Sequence, residues 1–130
     1  MNFNNLHIVP TTIPYNSNIL YSNINHLKRI FPFLKITTIG ESILGKDIMC
    51  IQIGNGSKQI FYNASTHANE WITSVLLMKF LENLCKCYVS GKYIYGYKAK
   101  DILNNVSLFI VPMVNPDGIG FKIIGTFLFS

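Results

Sequence analysis

The sequence predicts an α/β protein, the opening part of a mixed sheet that is covered by helices. Hydrophobic residues make up 49% of the 130-residue chain and charged residues 13%, a composition that favours a packed core over disorder. Apolar residues recur at helical spacing in two segments. Short β-branched runs bounded by turn residues lie between and after these segments, in the order helix, hairpin, strand, long helix, strand.

The first predicted helix begins after an irregular stretch that contains proline and asparagine. Ser17 has the chemistry of an N-cap, since its hydroxyl can accept from a free amide of the first turn. A single apolar stripe follows at spacings of four, three and four: Leu20, Ile24, Leu27 and Phe31. Pro32 ends the helix because the residue before a proline is pushed out of the helical conformation.

Three strands are predicted next, at Lys35–Ile39, Asp47–Ile53 and Lys58–Ala64. The stretch GESILG predicts a hairpin between the first two, and GNGS predicts a tight turn after the second. The third run is apolar on both faces, which is typical of a strand in the interior of a sheet.

The second predicted helix runs from about Glu70 to Tyr88 and ends at Ser90 and Gly91. Its apolar residues are expected to pack on the sheet, with one stripe at spacings of four, Ile72, Leu76, Phe80 and Leu84, which is widened by Val75, Leu77, Met78 and Leu81. A connection rich in tyrosine and lysine leads to a buried strand at Val106–Val111, which the turn NPDG is expected to close.

The expected organisation is an irregular lead at 1–16, a folded part at 17–118 and an atypical tail at 119–130. The tail shows neither helix caps nor a clear partner strand, and this suggests a truncation or a shifted reading frame. The fold is therefore expected to be incomplete within this chain.

Charge and cysteine content exclude several classes of protein. The formal net charge is +5, but the lysines form no dense run, so we expect no nucleic-acid partner. No stretch is long and apolar enough to span a membrane, and the absence of a visible signal peptide predicts a cytoplasmic location. Cys50, Cys85 and Cys87 are odd in number and are best explained as thiols in a reducing compartment.

The stretch NASTHANEWITS, residues 63–74, carries the candidate metal ligands His67 and Glu70. The pair lies between a strand and a helix, where open α/β sheets collect their active sites. An imidazole nitrogen and a carboxylate oxygen are both zinc ligands. The simpler alternative is that Glu70 only complements the dipole of the helix start and that His67 is an ordinary loop residue.

Three stretches together resemble the zinc metallocarboxypeptidase family, which is carboxypeptidase A-like. STHANEWIT is similar to the first zinc-binding motif, IGESILGKDIMCIQIG to the opening hairpin, and VPMVNPDG to the strand and turn that follow the zinc helix. Asn69 departs from the pattern, since many members carry an arginine before the glutamate. Within the family, the sequence of these stretches most resembles the bacterial γ-D-glutamyl-L-diamino acid endopeptidases, which cut cell-wall muropeptides.

The resemblance implies the N-terminal part of a three-layer α/β/α zinc-peptidase fold with a mixed sheet. It also implies one zinc ion, with His67 and Glu70 as two of its ligands, and a peptide or muropeptide substrate. The family's third ligand, general base and substrate-binding tyrosine lie beyond the end of this chain. His7 and His26 precede the motif and do not fit the third-ligand role. No catalytic or substrate-binding residue can therefore be assigned, and the chain alone is expected to be inactive.

Two alternatives remain open beside this zinc-dependent peptidase. The first is a non-catalytic remnant or binding module, which the missing residues favour. The second is a deacylase of the aminoacylase type that uses the same His-x-x-Glu pair.

Overall fold

The computed structural model describes the backbone of residues 3–128 and the side chains of residues 3–125. Four helices are α1 (Ser17–Ile30), α2 (Trp71–Val89), α3 (Ala99–Asn105) and α4 (Pro116–Leu128). Six strands are β1 (Lys35–Glu41), β2 (Asp47–Ile53), β3 (Lys58–Asn63), β4 (Tyr93–Ile94), β5 (Tyr97–Lys98) and β6 (Val106–Val111). A short 3₁₀ turn at Phe3–Asn5 precedes them.

The main sheet has four strands in the order β1-β2-β6-β3. β1 pairs with β2 as the predicted antiparallel hairpin, and β2 is also antiparallel to β6, with Ile51 opposite Ile110. β3 runs parallel to β6, with Ile60 opposite Leu108. The α/β class and the mixed sheet are thus confirmed, and the buried cluster joins both central strands to α1, α2 and α3.

The GNGS segment is not a hairpin turn, because β6 lies between the two strands that it connects. Gly54 has a φ of +92°, a conformation that favours glycine. A Cβ atom at Gly56 would lie 1.7 Å from the carbonyl carbon of Asn105. The glycines therefore let the chain pass directly against the start of β6.

The prediction that Lys58–Ala64 is an interior strand is wrong for the part of the chain that is described. β3 lies at the edge of the four-stranded sheet, and all six of its residues are exposed. Ile60, Phe61 and Tyr62 are 37%, 59% and 45% exposed. Apolar residues on both faces indicated a covered strand, yet β6 is the only neighbour of β3 among residues 3–128.

Helix α1 has the predicted length and apolar stripe, but Asn16 caps it and Ser17 is its first residue. The Asn16 side chain accepts from the amide of Ile19 at 3.0 Å. Asparagine and serine are similarly good N-caps, so the sequence could not choose between neighbours. Phe31 is fully buried just past the helix end, as expected.

The buried face of α2 matches part of the predicted stripe. Val75, Met78, Leu81 and Leu84 are buried as expected, but Ile72 and Leu76 are 54% and 72% exposed. A spacing of four advances 40° per step on a helix with 3.6 residues per turn, so the predicted stripe drifts from one face to another. Spacings that mix three and four residues follow the buried face.

Glu82 is a buried carboxylate on the apolar face of α2. Its Oε2 accepts from the amide of Val9 at 3.0 Å, and its Oε1 lies 2.6 Å from Nζ of Lys86. Lys79 approaches Oε2 at 3.2 Å. Lys86 also donates to the carbonyl of Leu6. These contacts hold the segment before α1 against α2.

The NPDG stretch begins a helix and is not the predicted turn. Oδ1 of Asn115 accepts from the amide of Gly118 at 2.8 Å, and the Asn115 carbonyl accepts from Ile119 at 3.2 Å. Pro116 occupies the first helical position, where a missing N–H costs nothing. The helix also includes the first ten residues of the predicted tail at 119–130; residues 129 and 130 lie outside the described residues.

The connection after α2 contains three elements that the sequence did not predict. β4 and β5 form a small antiparallel hairpin, and α3 buries Ala99 and Leu103. Tyr95 and Gly96 both have positive φ values, +50° and +85°, as a two-residue hairpin turn requires. Cys50, Cys85 and Cys87 are free thiols. No helix among the described residues is both long and apolar enough to cross a membrane.

Candidate metal centre

The loop at residues 64–70 leaves the carboxyl end of β3 and leads into α2. The amide of Ala64 donates to the Val111 carbonyl, and the Ala64 carbonyl accepts from Val114, both at 3.0 Å. The amide of Asn115 donates to the Ser65 carbonyl, also at 3.0 Å. Because β3 and β6 are parallel, these bonds fasten the loop to the segment that follows β6, at the same edge of the sheet.

His67 and Glu70 lie in the second half of this loop, immediately before α2. The amide of Glu70 donates to the His67 carbonyl at 3.1 Å, which closes a tight turn between them. His67 is exposed and Glu70 is half-buried. No hydrogen bond or ion pair engages either side chain within the described part of the chain, and the Glu70 side chain does not cap α2.

Three hydroxyl groups lie close to the turn between His67 and Glu70. Thr73 Oγ1 donates to the Glu70 carbonyl at 2.7 Å, and Ser65 Oγ lies 3.0 Å from the same oxygen. Ser65 Oγ also lies 2.5 Å from Ser74 Oγ, which donates to the Pro112 carbonyl at 2.5 Å. Ser65 and Ser74 are 1% and 0% exposed. The hydroxyl groups therefore connect the loop, the first turn of α2 and the end of β6.

Asn115, in the VPMVNPDG stretch, makes a further contact with the loop, because its Nδ2 donates to the Thr66 carbonyl at 3.3 Å. The NPDG stretch therefore lies beside this loop, and it starts a helix instead of the expected turn. The contributions of Ser65, Thr73 and Ser74 were not predicted. Hydroxyl residues on both sides of a His-x-x-Glu pair were the available signal, and helix capping alone explained them equally well.

An open cleft of about 470 Å³ lies beside the loop. Asn63, Ala64 and Thr73 line it near the loop, and the other lining side chains are apolar or aromatic, including Tyr62, Leu76 and Tyr95. The rings of Tyr62 and Phe80 meet edge to face at 6.4 Å. The cleft is therefore an apolar surface between β3 and the exposed side of α2.

The chemistry of the pair fits a zinc ion in part. Zinc accepts imidazole nitrogen and carboxylate oxygen, and both side chains are free to bind. Within the described residues, no three His, Cys, Asp or Glu side chains group closely enough to hold one metal ion. His7 and His26 are both exposed, on the lead and on α1. The described residues thus offer two candidate ligands where catalytic zinc sites use three.

The fold and the order of motifs are those of a metallopeptidase, and the chain belongs to the zinc carboxypeptidase family, whose model matches residues 20–122. The γ-D-glutamyl-L-diamino acid endopeptidase 1 of Lysinibacillus sphaericus is 42% identical over 111 residues, which are 85% of this chain and 28% of that protein. The uncharacterized protein YqgT of Bacillus subtilis is 33% identical over 114 residues, which are 86% of this chain and 30% of that protein.

Solved structures share the fold. The crystal structure of thrombin activatable fibrinolysis inhibitor superposes with a TM-score of 0.76 at 19% identity, over 93% of this chain and 31% of that one. This likeness confirms the predicted fold, and the family model confirms the resemblance to zinc carboxypeptidases. The chain spans less than a third of the length of these relatives.

Proposed function

We propose that this chain supplies part of a zinc-dependent peptidase site, with His67 and Glu70 as two of the zinc ligands. The observation that supports it is the position of the pair: a fastened loop at the carboxyl edge of the sheet presents an imidazole and a carboxylate that no described residue engages. Membership of the zinc carboxypeptidase family supports the identity of the metal.

When bound, zinc lowers the pKa of a coordinated water and polarises a peptide carbonyl. The chain's own contribution is to orient His67 and Glu70 through the bonds of the loop backbone. A catalytic zinc site has three protein ligands, and the described residues offer two. We therefore expect the 130-residue chain alone to bind zinc weakly and to lack peptidase activity.

For the substrate, we propose peptides of the bacterial cell wall. The support is the 42% identity to a protein named as a γ-D-glutamyl-L-diamino acid endopeptidase. The residues that would select such a substrate are not assigned in this chain.

The experiment that tests this function is a segment exchange. Residues 20–122 replace the matching segment of the Lysinibacillus sphaericus endopeptidase, and muropeptide cleavage is followed by mass spectrometry. We expect cleavage by the chimera and its loss in His67→Ala and Glu70→Gln chimeras, whereas a His26→Ala chimera stays active. Folded chimeras that cleave equally well with and without His67 would show that the pair is not part of the site. A folded chimera that binds zinc but cleaves nothing would favour the binding-module alternative.

A further inference from the structure

Within the loop at residues 64–70, the carbonyl of Glu70 is the most heavily bonded acceptor. It accepts from the amide of Thr73 at 2.9 Å and from Thr73 Oγ1 at 2.7 Å, and Ser65 Oγ lies 3.0 Å from it. The amide of Ser65 in turn donates to Thr73 Oγ1 at 2.9 Å. One hydroxyl group, on Thr73, therefore joins Ser65 to Glu70 and closes this part of the loop into a ring.

Ser65 takes an unusual conformation inside this ring. Its φ is +52°, in the left-handed region that residues other than glycine seldom occupy. Surrounding bonds must hold such a residue in place, and strained residues of this kind cluster at functional sites. For Ser65 they come from the Thr73 hydroxyl on one side and the amide of Asn115 on the other.

We propose that Thr73 and Ser65 are positioning residues that fix the backbone of His67 and Glu70 before the metal arrives. Neither is placed as a ligand, and both act through the Glu70 carbonyl. A ligand pair held in advance loses less conformational freedom on binding, so its affinity for the metal is higher. This inference rests on the proposed function, because it assumes that the pair binds zinc.

Thr73→Val tests this most cleanly, because valine keeps the shape of threonine and removes only the hydroxyl. Thr73→Ser restores the hydroxyl and serves as the conservative rescue. Thr37→Val, on exposed β1, is a matched control that makes the same chemical change away from the loop. Loss of a partner that orients a metal ligand weakens metal binding by about 10- to 100-fold.

Zinc affinity of the 130-residue chain and its variants is measured by titration calorimetry, with unfolding curves as the check on global stability. Hydrogen exchange of the Ser65 and Glu70 amides without metal gives a second readout. We expect Thr73→Val to bind zinc about tenfold more weakly, the low end of that range, and to exchange both amides several-fold faster. Thr73→Ser and Thr37→Val are expected to match the unchanged chain in both measurements.

Unchanged zinc affinity and unchanged exchange in a folded Thr73→Val chain would overturn the positioning role. Weaker binding that Thr73→Ser fails to rescue would also count against it, since the hydroxyl would then not be the cause. If the unchanged chain binds zinc no better than His67→Ala, the proposed function fails instead. Exchange of the Ser65 amide in Thr73→Val and Thr73→Ser then still decides whether this hydroxyl fixes the loop.

Discussion

The carboxylate of Asp117 accepts a hydrogen bond from the hydroxyl of Ser42 at 2.9 Å, across 75 positions of the chain. Its second oxygen accepts from the amide of Leu44 at 3.0 Å, and Nζ of Lys46 lies 3.8 Å from the first. The hairpin turn GESILG and the NPDG stretch are therefore parts of one structure. The Asp117 carboxylate thus orders the GESILG turn, close to the start of the helix that Asn115 caps.

Asp117→Asn should destabilise the fold by about 1 kcal/mol, because the neutral side chain loses the charge-assisted hydrogen bonds from the Ser42 hydroxyl and the Leu44 amide. Chemical denaturation measures the loss. Asp101→Asn makes the same change at an exposed position of α3, and we expect the free energy of unfolding to stay within about 0.5 kcal/mol of the unchanged chain. Equal stability of the two variants would show that the contacts of Asp117 contribute little.

The stability of the fold should depend on pH through Glu82. Burial alone would raise the pKa of this carboxyl, but hydrogen bonds from Lys86, Val9 and Lys79 outweigh it and lower the pKa below its ordinary value of 4.5. The unfolded chain then takes up the proton first. The stabilising contribution is therefore complete above about pH 4.5 and is lost as the pH falls through the lowered pKa.

Glu82→Gln isolates this effect, because glutamine keeps the size and removes the charge. We expect the variant to be about 2 kcal/mol less stable at neutral pH, since hydrogen bonds to a charged group are among the strong ones. The gap between the two unfolding free energies should narrow below pH 4.5. Denaturation curves at several pH values measure it, and two parallel profiles would contradict the role of the Glu82 charge.

The open cleft between β3 and α2 should make the chain self-associate. Leu76 on its wall is 72% exposed, and the adjacent β3 is an edge strand with exposed apolar side chains. Exposed edges and contiguous apolar surface favour association. We expect the apparent mass of the unchanged chain, measured by sedimentation or light scattering, to rise with concentration. Leu76→Glu is expected to reduce this rise and to change stability by at most about 0.5 kcal/mol.

Ile43→Glu is the matched control, because Ile43 is 100% exposed in the hairpin turn and does not line the cleft. It should leave self-association unchanged. A chain that stays monomeric at all concentrations, or two variants with equal effects, would contradict association through the cleft.

The sequence predicted elements better than it predicted their surroundings. Periodicity located α1, β2 and β6, because repeated apolar spacing is a local property of the chain. The exposure of Leu76 and the edge position of β3 depend on which strands and helices pack beside them, and spacing alone carries no such information.

The candidate site divides in the same way. His67 and Glu70 are recognisable from a short motif, and the structure places them on a loop between a strand and a helix, as the sequence predicts. Asn115, which follows β6, supports that loop by donating to the Ser65 carbonyl. Ser74, on α2, lies beside the Ser65 hydroxyl and donates to the Pro112 carbonyl just after β6. Contacts between distant segments follow from the parallel pairing of β3 with β6, and this pairing was not predicted.

Zinc titration of the 130-residue chain by calorimetry tests the central proposal most directly, which is that His67 and Glu70 bind the metal. The prediction is weak binding of one zinc ion that His67→Ala and Glu70→Gln each abolish. His26→Ala should bind like the unchanged chain, because His26 is exposed on α1, away from the loop. Zinc binding that persists unchanged in folded His67→Ala and Glu70→Gln chains would contradict the assignment of the site.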